Sequence, residues 1–494
     1  MEYLSILGGR GRRIDEQIAH DLRIHELLGD IFGKRNDDFL RSLYLEQLDN
    51  EEVAVFRLNV FRDLLKGEVL DAVAGFVERV NKAARILETE KDAYEEHRIG
   101  MHVDAALIYT EAVETAWSRL RGLPIESEGL ASFIRYLGEV AGSEKFRELG
   151  RRAREAAEAR DQIKIRVWIE GDRIRVTREE HGEDLSALVD SLFSRFKGDG
   201  QGAEVKYIKT TGDASHIHAA ILRGAFKMYR TQYDILRRFS EDFPSFIDDG
   251  IANFAKEAEF YLIYINYMKS LEQMGYRFTI PSFTDGGIYV RKFYNLLLAK
   301  RGSAVPNDIQ TDGSRRIFVI TGMNSGGKTT FATSFGQIAF LSKLGLPVPA
   351  VEAKIPFFSS IMTAYPVEED VEESLSRLEL DVARAKAIIE RADGRSLVIT
   401  NELFSNTTSD EGLLLTRLFF EELAKRGSYC LFVTFLHKAA DLDGVITLVA
   451  QPSPEDPERP SYVIAPGRPP AEYMAARIAR RYQLTYEKIR EVVK

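Results

Sequence analysis

Gly322, Gly327, Lys328 and Thr329 occupy the defining positions of the pattern G-x-x-x-x-G-K-[ST] within Thr321-Gly322-Met323-Asn324-Ser325-Gly326-Gly327-Lys328-Thr329-Thr330. A bend of this kind aims successive backbone N–H groups at phosphate oxygens. The lysine reaches the β- and γ-phosphates, and the hydroxyl that follows it ligates Mg²⁺. Residues Gly322 to Thr330 therefore predict binding of a nucleoside triphosphate with Mg²⁺. The same short pattern can arise as a glycine-rich turn at a strand end, so the flanks matter. Before it, Arg316-Ile317-Phe318-Val319-Ile320 is β-branched and apolar, as a buried parallel strand should be. After it, Phe331-Ala332-Thr333-Ser334-Phe335-Gly336-Gln337-Ile338 can run as a helix whose N-terminus adds a favourable dipole.

A second apolar strand, Ser396-Leu397-Val398-Ile399-Thr400, ends in Asn401-Glu402. A phosphate-loop ATPase needs an acidic residue here for the Mg²⁺ shell, then a carboxylate that orients or activates the attacking water. Glu402 suits the second role. Asn401 stands where aspartate would sit; its amide still accepts a hydrogen bond from metal-bound water but brings no charge. Weak Mg²⁺ affinity or slow hydrolysis is the expected consequence.

The elements that position these residues belong to a chain of 494 residues, long enough for two to four domains. Its 45% apolar and 10% aromatic content is that of a globular protein. No apolar run is long enough for a transmembrane helix, no secretory segment is readable, and the single Cys430 lies in an apolar stretch, so a soluble, reducing, cytoplasmic setting with no membrane contact is expected. The formal net charge of −9 gives no global support for nucleic-acid binding, so any DNA contact must come from local patches.

Four segments are read along the chain. Residues 1–160 form a helical N-terminal core or lever, with stripes such as Leu70, Val73, Phe76, Val77, Val80 and Ala105, Ala106, Tyr109, Val113, Trp117. Residues 161–210 form a small β insertion. Its alternation around Gly171-Asp172 predicts a hairpin, with Ile163, Ile165, Val167, Ile169, Ile174 and Val176 on one face. Lys164, Arg166, Arg173 and Arg175 lie on the other, which is either a solvated face or a phosphate-contacting patch. A further strand is read at Ala203-Glu204-Val205-Lys206-Tyr207-Ile208. Residues 211–285 resume as helical lever, and His216 and His218, two apart, do not share a helix face as metal ligands would. Residues 286–494 alternate strand and helix, the mark of an α/β layer, and close in C-terminal helices that include Pro470 to Ala479.

Several blocks in order make the chain resemble the MutS family of DNA mismatch-repair ATPases. Val305-Pro306-Asn307-Asp308 matches V-P-N-D, and Gly322 to Thr330 is similar to G-P-N-M-G-G-K-S-T. Gly345-Leu346-Pro347-Val348-Pro349-Ala350 matches G-x-x-V-P-A, and Ile361-Met362-Thr363 matches I-F-T. The resemblance covers about residues 286–450. It implies an α/β C-terminal P-loop NTPase domain of ABC type, with a mostly parallel sheet, following a mainly α-helical core and lever with a small β clamp-like insertion. It further implies that Ser376 reaches the γ-phosphate on a partner subunit, that Asn307 and Phe293-Tyr294 contact or stack on adenine, and that Thr434 matches the threonine of T-H. Departures are also plain: Arg377-Leu378 replaces T-F, Asn406 replaces a turn glycine, and Phe435 takes the place of a switch histidine, with His437 two residues on. No mismatch-reading domain with an F-x-E motif is readable.

The resulting expectation is a MutS-like ATPase. Lys328, Glu402 and Ser376 act in catalysis; Thr329, Asn401 and Glu402 hold the metal; ATP and Mg²⁺ are the cofactors. A homodimer sandwiches two nucleotides and moves helical arms on DNA. The alternative is a nucleotide-gated scaffold with little hydrolysis that binds proteins rather than DNA.

Overall fold

The computed structural model describes residues 3–170, 173–178, 212–366, 376–456, 459–468 and 490, and its contacts divide the chain into two units. One comprises Met1–Leu4, Lys66–Ile125 and Leu130–Ala258; the other comprises Ser5–Leu65, Glu126–Gly129 and Glu259–Lys494.

The first unit is mainly helical: Gly67–Thr89, Glu95–Leu120, Glu128–Gly142, Glu144–Asp161, Gly212–Met228 and Arg230–Asp242. Apolar residues at three- and four-residue spacing give each helix one face to bury. Leu70, Val73, Phe76, Val77 and Val80 are all buried, as are Ala105, Ala106, Tyr109 and Val113. Trp117 packs so closely that a Cβ on Gly138 would come within 2.6 Å of its ring. His102 ties the helices by its ring nitrogens, Nδ1 lying 3.0 Å from the Glu90 carboxylate and Nε2 2.8 Å from the Phe243 carbonyl.

Strands Ile165–Glu170 and Arg173–Arg178 pair antiparallel, with Val167 opposite Val176 and Trp168 opposite Arg175. Directly opposed residues share a face, so Arg166, Trp168 and Arg175 lie together and Ile165, Val167 and Val176 lie on the other side. The apolar side is only partly covered. Val176 meets the helix Gly212–Met228 at Gly224, whereas Val167 remains 38% exposed, because two strands alone cannot enclose a core. The expected strand Ala203 to Ile208 and the expected helix Pro470 to Ala479 lie outside the described residues.

The second unit holds a six-stranded sheet in the order Ile361–Ala364, Leu397–Asn401, Tyr429–Val433, Ile317–Gly322, Val445–Pro452, Pro460–Pro466. The first five strands run parallel and the last is antiparallel. This agrees with the α/β layer expected from strand–helix alternation and with the mostly parallel sheet that the resemblance implies. The strand Tyr429–Val433 is buried at every residue, which is why its sequence shows no alternation. Cys430 on it is fully buried, and burial pushes its thiol well up from the ordinary value. A smaller sheet of Ser282–Thr284, Glu352–Pro356, Ile288–Phe293 and Asn307–Thr311 accompanies it.

The helix Lys328–Leu344 is buried on all sides from Phe331 onward, so it needs cover beyond the sheet. Part of that cover comes from Ser5–Leu65. Gln337 donates to the Leu22 carbonyl at 3.0 Å, and the fully buried Arg57 donates to the carbonyls of Leu7, Gly9 and Leu344 at 3.0, 2.7 and 3.1 Å. A side chain at Gly336 would strike Leu22 and Ile399, so this glycine permits the close fit of helix to sheet. Ser5–Leu65 thus groups with the six-stranded sheet, whereas periodicity alone runs 1–160 together as one helical stretch. Among the described residues, no helix is long and apolar enough to cross a membrane.

Candidate nucleotide site

The strand Ile317–Gly322 delivers the loop, and Lys328 opens the helix Lys328–Leu344. Gly322 and Gly327 have φ of +112° and +87°, and Ser325 also adopts a left-handed φ of +57°. Such alternation turns consecutive amides inward to make an anion-binding concavity. The loop closes on itself through Gly326 N–H to the Met323 carbonyl at 3.3 Å. Lys328 is 5% exposed and its ammonium donates to the carbonyls of Gly322 and Met323 at 3.2 and 3.0 Å. Burial lowers its pKa, with the Glu402 charge opposing.

Across the loop, the strand Leu397–Asn401 ends beside the helix N-terminus. The Thr329 hydroxyl donates to Asn401 Oδ1 at 2.9 Å, so the two residues expected to share a cation are already adjacent. Glu402 follows with a left-handed φ of +59°, fixed by its N–H to the Val433 carbonyl at 2.9 Å. Burial raises its carboxyl to about 7, against the opposing pull of Lys328 and the Phe435 N–H. Its Oε2 is buried with no hydrogen-bond partner. A buried carboxylate oxygen left unsatisfied is costly, and it fits a metal-bound or attacking water. Thr329, Asn401 and Glu402 therefore form an oxygen-donor set suited to Mg²⁺, though with one carboxylate and one neutral amide.

A cavity of about 460 Å³ joins these groups to the residues expected at adenine. Ser325 to Thr330, Glu402 and Phe435 line one part of it, and Phe293, Tyr294, Asn295, Leu298, Val305 and Asn307 another. The volume suits a small-molecule ligand.

Residues 318–454 match MutS domain V. The matched residues include the loop, Asn401, Glu402 and Phe435. The chain is similar to DNA mismatch repair protein MutS of Lactobacillus johnsonii, at 28% identity over 47% of this chain and 28% of that protein. It is 26% identical to that of Thermosipho melanesiensis over 48% of this chain and 29% of that protein. For Lactobacillus helveticus the figure is 34% over 29% of this chain and 17% of that protein. The chain thus spans under a third of the length of the curated relatives it matches.

The residues expected at adenine are engaged with other groups of the protein. Asn307 donates both amide protons, to the carbonyls of Val305 and Tyr462 at 3.2 Å each, and its Oδ1 accepts from Ile464 N–H at 2.6 Å. Its carboxamide is spent on holding the edge strand. Phe293 and Tyr294 line the cavity but are 1% and 3% exposed. Phe293 packs edge-on against Phe331 at 5.0 Å, and Tyr294 packs on Tyr276 and donates to the Arg277 carbonyl. Tyr462, which periodicity gives no reason to select, lies against Gly327 and is 50% exposed. Its left-handed φ of +61° is a backbone choice that a non-glycine residue does not announce in sequence.

Phe435 holds its ring 4.3 Å above the Lys328 ammonium, a cation–π contact in the place of the switch histidine. His437 is not an exposed loop residue: its Nδ1 lies 2.9 Å from the Thr321 hydroxyl, and burial, then the Lys328 charge, lowers its pKa. Thr434 is buried and joins the loop strand through its N–H to the Ile320 carbonyl. Ser376 is not brought into this cavity. It caps the helix Arg377–Arg391 in a reciprocal capping box with Glu379 and stays exposed. Lys164, Arg166 and Arg175 are exposed on the hairpin, with the Arg166 guanidinium over Trp168 at 5.7 Å. Arg173 is placed by its backbone on the same face.

Proposed function

We propose that this protein is a MutS-like ATPase that binds ATP with Mg²⁺ and hydrolyses it slowly. The observation that carries this reading is the convergence of Lys328, Thr329, Asn401 and Glu402 on one phosphate loop, with a buried unpartnered oxygen on Glu402. The amides of Gly322 to Thr330 bind the phosphates, and Lys328 leaves the Gly322 and Met323 carbonyls to meet the β- and γ-phosphates. Thr329, Asn401 and Glu402 would hold Mg²⁺, which supplies charge neutralisation at the phosphate oxygens when bound. Glu402 then orients and deprotonates the attacking water. Because the site has one carboxylate where two are usual, hydrolysis is slow.

We further propose that two copies sandwich two nucleotides in a phosphate-loop arrangement of ABC type. Ser376, exposed at a helix N-terminus, serves the γ-phosphate of the other copy, and occupancy moves the helical arms on DNA. Lys164, Arg166, Arg173 and Arg175 on the hairpin supply the phosphate contacts, and the first 285 residues act as core, clamp and lever. Steady-state ATP hydrolysis tests the enzyme: a measurable rate should vanish in Lys328→Ala and Glu402→Gln, and equal residual rates in all three proteins would reject it.

A second reading has its own support. Asn401 carries no charge and Phe435 covers the Lys328 ammonium, which favours a nucleotide-gated scaffold that scarcely turns over and binds proteins rather than DNA. Tight, Mg²⁺-dependent ATP binding without turnover, and without salt-sensitive DNA binding, would select it.

A further inference from the structure

The carboxylate of Glu402 is delivered by a turn whose backbone does not support itself. Glu402 and Phe404 both adopt a left-handed φ, +59° and +63°, and neither is glycine. Two such residues so close together persist only where surrounding groups impose them, and conformations of this kind gather at active sites. Inside the turn, the Ser405 N–H donates to the Glu402 carbonyl at 3.2 Å. Three groups hold it from outside. The Phe404 ring is buried and packs edge-on against Phe419, with centroids 6.1 Å apart. Gly412, on the helix Ser409–Arg426, lets that helix close on the Phe404 carbonyl, since a Cβ there would lie 2.8 Å from its oxygen. The third group is Asp381.

Asp381 lies in the helix Arg377–Arg391 and is half-buried. Its Oδ2 accepts from the Phe404 N–H at 3.2 Å and from the Asn406 amide at 3.4 Å, so one carboxylate oxygen ties two points of the turn. A charged acceptor makes such bonds stronger than a neutral one would. Asp381 also lines a cavity of about 170 Å³ together with Asn401 and Glu402, and Glu402 lines the nucleotide cavity as well. The turn that Asp381 ties therefore borders both cavities through Glu402.

Resting on the hydrolytic role of Glu402 given above, we propose that Asp381 is a positioning residue that fixes the turn from Glu402 to Asn406 and thereby aims the Glu402 carboxylate at the attacking water. Its contribution falls on the chemical step. Misplacing a reacting group by about 1 Å costs on the order of 100-fold in rate, whereas the phosphate loop that binds the triphosphate is left intact.

The test is single-turnover hydrolysis of Mg²⁺-ATP by the full chain, with affinity read separately by calorimetry. Asp381→Ala should slow the step by about 100-fold and leave Mg²⁺-ATP affinity unchanged, which also reports a folded site. Asp381→Asn keeps an oxygen for the Phe404 N–H and should recover most of the lost rate. Gly412→Ala presses on the turn from its other side, within a helix that alanine favours, and should lower the rate with affinity again unchanged. An undiminished rate in Asp381→Ala, or no recovery in Asp381→Asn, overturns the proposal. A loss of ATP affinity equal to the loss of rate overturns it too, since the role would then be structural. If raised Mg²⁺ restores the rate of Asp381→Ala, the residue is a metal ligand and not a positioning one. A rate in the unsubstituted protein that Glu402→Gln leaves unchanged would instead reject the hydrolytic reading, and this inference with it.

Discussion

Glu402→Gln should stabilise the ligand-free protein, and increasingly so as pH rises. Burial holds the Glu402 carboxyl at about 7 in the folded chain against an ordinary 4.5. Below pH 4.5 the group is protonated in both folded and unfolded states and contributes no difference. Between 4.5 and 7 the unfolded chain releases the proton while the folded chain keeps it, so stability falls as pH rises. Above 7 both states are ionised and the full penalty applies. Linkage converts the displacement to about 3 kcal/mol, and partial solvent access brings the expected effect nearer about 2 kcal/mol. Glutamine keeps the shape and never ionises, so it escapes the penalty. Thermal unfolding of both proteins without nucleotide or metal, from pH 4 to 8.5, should show nearly coincident midpoints at pH 4 and a gap of several degrees in favour of Glu402→Gln at pH 8. Lys328→Ala, which removes the opposing cation, should leave the onset of the loss near pH 4.5 and extend it to a higher pH. A gap that stays constant with pH, or Glu402→Gln melting lower at pH 8, would refute the account of Glu402 as a strained, desolvated acid.

Three further outcomes follow from the same geometry. Asn401→Asp should raise the Mg²⁺ affinity and speed ATP turnover, read from rate against metal concentration; no change would point to another carboxylate, Asp381 in the adjoining cavity being the candidate. Arg57→Met should cost about 3 kcal/mol in chemical unfolding, since it strands two buried carbonyls and a partly buried third, while a loss under about 1 kcal/mol would mean that other groups or water satisfy them. Reversing Arg166, Arg173 and Arg175 to glutamate should weaken DNA binding and lower the slope of log affinity against log salt by about three, and an unaltered slope would favour the protein-binding scaffold.

What the sequence makes legible is what local pattern determines. The glycine loop must be glycine where φ is +112° and +87°, and the buried strands must be apolar throughout, so both can be read from residues 316–330 and 396–402. The helical stripes of residues 67–120 are legible for the same reason. Pairings distant in sequence leave no such trace. Arg57 looks like any surface arginine in a helix, yet it caps a helix that ends at Leu344. Asn307 and Tyr462 are 155 residues apart, and neither residue type implies the hydrogen bond between them. Left-handed Ser325, Glu402 and Tyr462 are likewise invisible, because non-glycine residues in that region are held by tertiary contacts and not by their own preference.

The electrostatics of the site give these pieces a common logic. Among the described residues, Glu402 is the carboxylate whose charge acts on Lys328, and the two are charge-balanced only when both are ionised. Desolvation works against ionisation of each, raising the acid and lowering the base. Burial therefore opposes charge on both groups, while each favours the charge of the other. A triphosphate changes that balance by drawing the ammonium away from the Gly322 and Met323 carbonyls. A cation beside Thr329 and Asn401 would change it again by favouring the Glu402 carboxylate. Protonation of Glu402, occupancy of the loop and release of Lys328 from beneath Phe435 are thus coupled steps. On the proposed function, that coupling would make turnover depend on how well the nucleotide and metal fill the site together.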